Sequence, residues 1–416
     1  MKSCNLLLLM EFACSLIISA GVVIYLYIQE APNRIGQRSF FIESKPQLNY
    51  SECDLSFDGS IKELVLRNVT EDRNPPEQRL CLSEEQIRIF DLTKKLRPRL
   101  STNYSGYRGP WIEDGVFCNW IVKYYRGEIE KCNMLEQNSP VYLPIFWTSI
   151  QRNKVDNDAR KEWQAEAQNV LNSLKNDTLY FTVLQDAEGF KKSKLKFKST
   201  SNLVVFNAGG ATLGFKQVPI PLIKGELQYE GLSAEKDIWL SSTIVKKHFP
   251  VRKKLFETFG FHNVTDEMLS KTIPDEILKD RNQFIHYQGD QFKQVIQRSV
   301  FHLCPRGFGR TSFRLYETVQ LGTIPIYIWD DVNWIPYGNL MERIGLIIHV
   351  SQMADLFNIL NSMGKDELEF KFEEIKKFKH WFTYLGITQY IFKVINRLPS
   401  DTISKENIES QYLTLS

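Results

Sequence analysis

Residues 300–329, reading VFHLCPRGFGRTSFRLYETVQLGTIPIYIW, hold the densest set of side chains able to do chemistry. Arg306 and Arg310 share a loop with Gly307 and Gly309, and Arg314 and Glu317 follow at helical spacing. Guanidiniums offer paired donors that match phosphate oxygens. A carboxylate can accept from two hydroxyls side by side, which suits the vicinal hydroxyls of a ribose. Arg306, Arg310, Arg314 and Glu317 together therefore fit a nucleoside diphosphate. The plainer alternative is an Arg314–Glu317 salt bridge on one helix face. The loop lacks the Gly-Lys-Ser/Thr of a Walker phosphate loop, and two glycines alone say little about a dinucleotide.

The elements that must position these groups are legible on either side. Val300–Cys304 is an apolar run of strand length. Ser312 is a good N-cap for a helix running to Leu321, with Phe313, Tyr316 and Leu321 inward. Gly322 stands where that helix stops, and Ile324–Trp329 is a second strand-like run containing Pro325. Strand, loop, helix and strand predict a right-handed parallel βαβ unit. Its loop lies at the carboxyl edge of the strand, with the helix N-terminus directed at it, a place that favours anions. Cys304 reads as a small buried apolar residue, and Asp330-Asp331 as a turn pair.

The stretch CPRGFGRTSFRLYETVQLGTIPIYI resembles the C-terminal signature of the exostosin family of glycosyltransferases. The likeness rests on Pro305, Arg306 and Gly307; on Ser312, Phe313 and Arg314; on Glu317; and on Gly322, Ile324, Pro325 and Ile326. It is looser elsewhere, over residues 140 to 390. The resemblance implies an α/β chain of the GT-B class, with two Rossmann-like domains facing a cleft. It also implies a nucleotide-sugar donor, taken as a UDP-sugar, an inverting reaction, and no metal or other cofactor. Arg306 and Arg314 would contact the diphosphate and Glu317 the ribose, with Gly307, Arg310 and Ser312 completing the site. The His248-to-Lys253 string looks like a family feature near the phosphates. Arg252 is thus a further diphosphate candidate, against the alternative of a solvated face.

The rest of the chain is consistent with an enzyme behind an anchor. A length of 416 residues and 43% hydrophobic content allow two domains. A formal charge of +3 gives no case for a nucleic-acid partner. Leu6–Ile28 is an apolar run long enough to cross a bilayer core of ~30 Å. A signal anchor is expected there, with cleavage near Ala20 as the alternative. Residues 1–5 then form a short cytoplasmic tail, 29–80 a stem, 81–234 an acceptor-side domain, 235–398 a donor-side domain, and 399–416 a tail. Sequons at Asn49, Asn68, Asn103, Asn176 and Asn263 fit a lumenal, single-pass type II protein of the Golgi membrane; the endoplasmic reticulum and secretion are the alternatives. Cys53, Cys81, Cys118 and Cys132 are disulfide candidates with three possible pairings, Cys53–Cys81 and Cys118–Cys132 being favoured by proximity. No cysteine or histidine spacing suggests zinc.

Within the first domain, Ser83 predicts a helix start, with Ile87, Phe90 and Leu96 inward. Residues 111–125 carry aromatic side chains together with Glu113 and Asp114, which could touch an acceptor or cap a helix. Val141–Trp147, Leu179–Leu184 and Leu203–Phe206 read as strands. Asp156-Asn157-Asp158 has the Asp-X-Asp form of metal-dependent GT-A enzymes, but no apolar strand precedes it. Its aspartates are expected to cap a helix at Ala159–Leu174, with Trp163, Ala167, Val170 and Leu174 inward. Asp186 and the Gly209-Gly210 loop follow strands at the carboxyl edge, where ligands bind in open α/β sheets. Asp186 is the candidate catalytic base for the acceptor hydroxyl, with a turn role as the alternative. The lysines of 191–198 read as a solvated loop or a contact for an acidic glycan. Strands at Asp237–Ser242, Phe284–Tyr287 and Leu346–Val350 and helices at Gln352–Met363 and Glu367–Phe382 complete the second domain, and the GT-B likeness implies that Tyr384–Leu398 is a last helix able to return to the first. The acceptor is expected to be a glycan or glycoprotein. A non-catalytic glycan-binding protein of the same fold is the main functional alternative.

Overall fold

A computed structural model describes residues 81–97, 130–131, 140–152, 157–190, 202–210, 216–224, 227, 236–245 and 249–397. The expected anchor and stem, Asn49, Asn68, Asn103, Cys53, Cys118, Cys132, Glu113, Asp114, Asp156 and the lysines of 191–198 lie outside these residues. Among the described residues no helix is long and apolar enough to cross a membrane. Asn176 and Asn263 are both exposed.

Two parallel sheets dominate. A short pair, β1 (Cys81–Leu82) and β2 (Glu130–Lys131), stands apart from them. The first main sheet runs β3 (Val141–Tyr142), β4 (Tyr180–Leu184), β5 (Leu203–Asn207), β6 (Lys216–Pro219), all parallel. The second contains β7 (Ile238–Ser242), β8 (Phe261–Val264), β9 (Phe284–Tyr287), β10 (Ser299–Pro305), β11 (Ile324–Trp329) and β12 (Leu346–His349). Its spatial order is β12-β11-β10-β7-β9-β8, again all parallel. Such sheets are covered on both faces, so their central strands are mostly apolar and buried. Every residue of β4, β5 and β10 is buried accordingly.

Helices cover the sheets with apolar stripes. Helix α1 (Glu84–Leu92) starts as expected, with Ser83 Oγ accepting from Gln86 N at 3.1 Å. Gln86 then pairs with the backbone of Tyr142 in both directions at 2.8 Å, extending the hydrogen bonding of β3. Beside it, burial raises the Glu85 carboxyl, but hydrogen bonds from Arg88, Lys175 and Tyr180 outweigh this and hold it at about 2. The run 141–147 is a strand only through Tyr142; helix α2 (Trp147–Arg152) takes over, and Trp147 Nε1 donates to Thr182 Oγ1 at 2.8 Å. Helix α3 (Asn157–Asn172) begins earlier than its periodicity suggested, so Asp158 sits inside the first turn beside Lys161 and is not the cap. Ala167, Val170 and Leu171 face the core.

In the second half, helix α4 (Pro250–Thr258) opens with Pro at its first position, where no amide donor is needed. Helix α5 (Phe313–Gln320) buries Leu315, Tyr316 and Val319 and connects β10 to β11. Its end is a Schellman turn: Gly322 adopts φ 73° and donates to Val319 O at 3.0 Å, while Thr323 N donates to Thr318 O at 3.1 Å. Helix α6 (Lys365–Phe378) and helix α7 (Tyr384–Arg397) close the chain, with Ile387, Tyr390, Ile391, Val394 and Ile395 in the main core. That core is continuous from Phe181 and Phe206 of the first sheet to Phe301 and Ile326 of the second.

Candidate functional site

The carboxyl edges of the two sheets meet. From the second sheet comes residues 306–311, the loop after β10; from the first come 185–189 and 208–210. Arg310 N donates to Gly209 O at 3.1 Å, and Trp334 Nε1 donates to Asn207 O at 3.1 Å. A Cβ on Gly309 would lie 1.2 Å from Ala187 O, and one on Gly209 2.0 Å from Asp186 O. Only glycine permits backbones this close. Gly210 (φ 128°) has Arg310 Cδ 3.0 Å from where its Cβ would stand. Gly209 and Gly210, expected from the sequence to line a cleft, are approached by the loop of the other half.

The arginines divide into two sets. Arg306 Nη1 reaches Asp330 Oδ1 at 2.7 Å and Asp331 Oδ1 at 2.8 Å, and Arg310 Nε reaches Asp331 Oδ2 at 2.8 Å. Burial raises the Asp331 carboxyl, but Arg310, Val332 N and Arg306 outweigh it and hold the group below its ordinary range. Asp330-Asp331 is thus more than the plain turn its sequence suggested; it neutralises two of the expected diphosphate ligands.

Arg252 and Arg314 form the other set. Arg252 Nε donates to Arg306 O at 3.2 Å, and its guanidinium lies 5.1 Å from the centre of the Phe249 ring. Burial, with the Arg314 charge beside it, pushes Arg252 down to about 10. Among the described residues it has no carboxylate partner. Gly307 leaves it space, since a Cβ there would come within 3.1 Å of Nη2. Arg314 occupies the first turn of α5, with its guanidinium 4.2 Å from the centre of the Phe292 ring. Its Nη1 is 2.7 Å from Glu317 Oε2, yet makes no directed hydrogen bond there. The salt bridge considered from sequence is therefore present as a charge contact, at the end of a helix capped by Ser312 Oγ on Arg314 N (3.3 Å).

Beneath the loop lies a polar seam that sequence did not flag. His302, fully buried in β10, has Nδ1 2.7 Å from Ser241 Oγ and Nε2 3.2 Å from Thr243 Oγ1. Burial, then the charge of Arg314 and the neighbouring His286, push His302 well below its ordinary value, so the ring is neutral. Ser242 Oγ, at the carboxyl end of β7, is buried without a hydrogen-bond partner among the described residues. Cys304 is free and buried as expected, its thiol pushed up to about 12 by burial.

Asp186 departs from its expected role. The residue is fully buried, and its Oδ1 accepts from Glu188 N at 2.9 Å, closing the turn after β4. Its side chain is thus occupied in shaping the loop, and a base assignment does not follow. Among the described residues no group of His, Cys, Asp and Glu side chains is arranged to hold a metal.

Similarity searches return short stretches of identity. The chain is 39% identical over 79 residues to a probable glucuronosyltransferase of Oryza sativa subsp. japonica, covering 18% of this chain and 19% of that protein. It is 35% identical over 74 residues to the probable beta-1,4-xylosyltransferase IRX10 of Arabidopsis thaliana, covering 17% of this chain and 18% of that one. The matched segment thus spans less than a fifth of these relatives. Among solved structures, the Anabaena protein HepE in complex with UDP aligns at 10% identity and a TM-score of 0.34, over 62% of this chain and 79% of that one, a likeness too slight to bear on fold or chemistry. The Exostosin GT47 domain matches residues 141–363, more than half of the chain and every strand from β3 to β12, and the chain belongs to that family.

Proposed function

We propose that the chain is a GT-B glycosyltransferase that moves a sugar from a UDP-sugar to a hydroxyl of a glycan, with inversion and without a metal. The observation that carries this reading is Arg252: a desolvated guanidinium with no carboxylate among the described residues, beside Arg314 at the N-terminus of α5. A half-buried, desolvated cation without a counter-charge is stabilised when an anion arrives. The diphosphate of a sugar nucleotide supplies one, and the dipole of α5 favours the same charge.

In this reading Arg252 and Arg314 stabilise the charge that grows on the leaving diphosphate, the largest electrostatic demand of the reaction. They supply the positive charge for which a GT-A enzyme uses a cation. Glu317, oriented by its contact with Arg314, takes the ribose hydroxyls, and Ser242 Oγ is a further donor-side contact on the same edge. Arg306 and Arg310 join only when Asp330 and Asp331 release them. Inversion requires a base from the facing edge. Glu188, half-buried on the loop that meets Gly309, replaces Asp186 in that role. The relatives' names suggest glucuronate and xylose as the first donor sugars to test. The apolar run 6–28 is read as a signal anchor of a Golgi type II protein, with the sequons lumenal.

The test is direct. Full-length chain in detergent is titrated with UDP, then incubated with UDP-glucuronate, UDP-xylose and UDP-galactose, with and without EDTA. Micromolar-range UDP binding and hydrolysis of at least one donor, unaffected by EDTA, are expected. Absence of UDP binding removes the reading. UDP binding without hydrolysis or transfer favours the non-catalytic glycan-binding alternative.

A further inference from the structure

A cavity of about 370 Å³ opens at the β12 edge of the second sheet, and Arg252 does not line it. Trp329 and His349, at the carboxyl ends of β11 and β12, form its aromatic wall, their ring centres 4.6 Å apart. Ile347 lies on the same face of β12, and Asn333, Glu342 and Gln352 supply polar side chains around the opening. The histidine is fixed rather than loose. Its Nδ1 is 2.7 Å from Ser351 Oγ and its Nε2 3.3 Å from Asp330 O, while Gln352 Oε1 accepts from its backbone N at 3.2 Å.

We propose that this cavity is a second glycan site, which takes a neutral pyranose unit of the acceptor chain. Three features select that ligand. An indole ring offers a flat apolar surface to the C–H face of a sugar. Asn333, Gln352 and Glu342 donate to and accept from hydroxyls around a ring edge, which one apolar wall could not do. Among the described residues no lysine or arginine lines it, so a phosphate, sulfate or uronate would meet no counter-charge there. The volume lies at the small end of ligand sites, roughly 300–1,000 Å³.

The nucleotide is not the occupant. Arg314 lies against Phe292, in the crossover from β9 to β10, and Arg252 belongs to the helix after β7. Neither arginine lines the cavity, although Lys254 of that helix donates to Val350 O at 3.3 Å, next to His349. The turn after β11 joins the two places. Asp330 presents its carbonyl to His349 on one side and its carboxylate to Arg306 on the other. A glycan held at Trp329 is therefore one turn away from the donor loop, placed to anchor an acceptor chain during transfer. That the glycan is an acceptor rests on the transferase reading; that a neutral glycan binds does not.

Calorimetric titration of the full-length chain with xylohexaose, cellohexaose and a neutral β-galactan fragment, at saturating UDP, tests the proposal. At least one is expected to bind, undisplaced by UDP. The exposed double variant Asn333→Ala/Glu342→Ala is expected to weaken that binding tenfold or more while UDP affinity stays within twofold. The proposal is overturned if none of the three binds, if UDP displaces the glycan, or if the double variant binds it as tightly as the parent. A chain that takes the oligosaccharide but ignores UDP leaves this site standing and removes the donor reading instead.

Discussion

The two carboxyl edges that meet at Gly309 are built from opposite materials. Residues 184–190 and 207–210 contain no basic side chain, and Asp186 and Asn207 hydrogen-bond within their own turns: Asp186 with Glu188 N, Asn207 with Gly209 N and Gly210 O. The facing edge gathers Arg252, Arg306, Arg310 and Arg314, and satisfies them unequally. Arg306 and Arg310 have carboxylates at hydrogen-bonding distance, whereas Arg252 has none among the described residues. One edge thus supplies shape and, in the proposed reading, the base; the other supplies positive charge, with Arg252 lacking a carboxylate among the described residues. The number of arginines in the motif does not identify the ligand contacts; their existing partners do.

Removing the uncompensated charge is the sharpest way to break this comparison. Arg252→Ala is expected to weaken UDP binding about 10- to 100-fold, since a hydrogen bond to a charged group contributes roughly 1.5–3 kcal/mol. Folding stability should rise slightly or stay level, because a desolvated cation is lost. Titration of UDP alongside thermal melts checks both. A variant that binds UDP normally but melts early would make Arg252 a structural residue.

The seam itself comes next in expected size. Gly309→Ala forces a Cβ into the Ala187 carbonyl, so the backbones must part. Overpacking of this kind costs about 1–3 kcal/mol, which should appear as a Tm several degrees lower. Gly364→Ala is the control, since nothing lies within 4 Å of its Cβ position and its φ of −74° suits any residue. Equal melting of the two variants would show that the contact between the edges holds nothing together.

The division between the arginines could not have been read from the sequence, and the reason is instructive. Local order was legible: Ser312 caps, Gly322 stops α5, and the apolar runs at 300–304 and 324–329 pair in parallel. These depend on neighbours within a turn or on hydrophobic period. The strands Lys216–Pro219 and Phe261–Val264 escaped because each mixes polar with apolar residues at a sheet edge, without a clear run. Trp147 looked like the end of a strand, but its indole is held by Thr182 across the sheet. Arg306 and Arg310 find their carboxylates on the far side of a helix and a strand, so no spacing rule announces them. The same holds for Asp186, whose turn competes with the base role only once its burial is known.

Asp331→Asn sharpens the comparison with a smaller effect. It frees Arg306 and Arg310 from the charge that binds both. A partly exposed ion pair contributes only about 0–1 kcal/mol, so UDP binding should tighten by at most about fivefold if these arginines reach the diphosphate. Unchanged affinity with a lower Tm would confine them to holding the turn, and with it the floor between the donor loop and Trp329.

The smallest effect tests whether another partly buried cation in this half behaves like Arg252. Lys236 lies at the opposite end of α5, where Nζ donates to Gly322 O at 3.0 Å and Thr323 Oγ1 at 2.9 Å. Burial pushes it down to about 7 from an ordinary 10.5. Between those values the unfolded chain binds a proton that the folded chain has lost, so stability should rise with pH across that window. Urea midpoints at pH 7 and pH 9 should therefore differ for the parent and converge for Lys236→Met, while UDP affinity is the same in both. A lysine that caps the carbonyl end of a helix has nothing to offer a phosphate. If Lys236→Met weakened UDP binding as Arg252→Ala does, desolvation of a cation would cease to distinguish the ligand site from the scaffold.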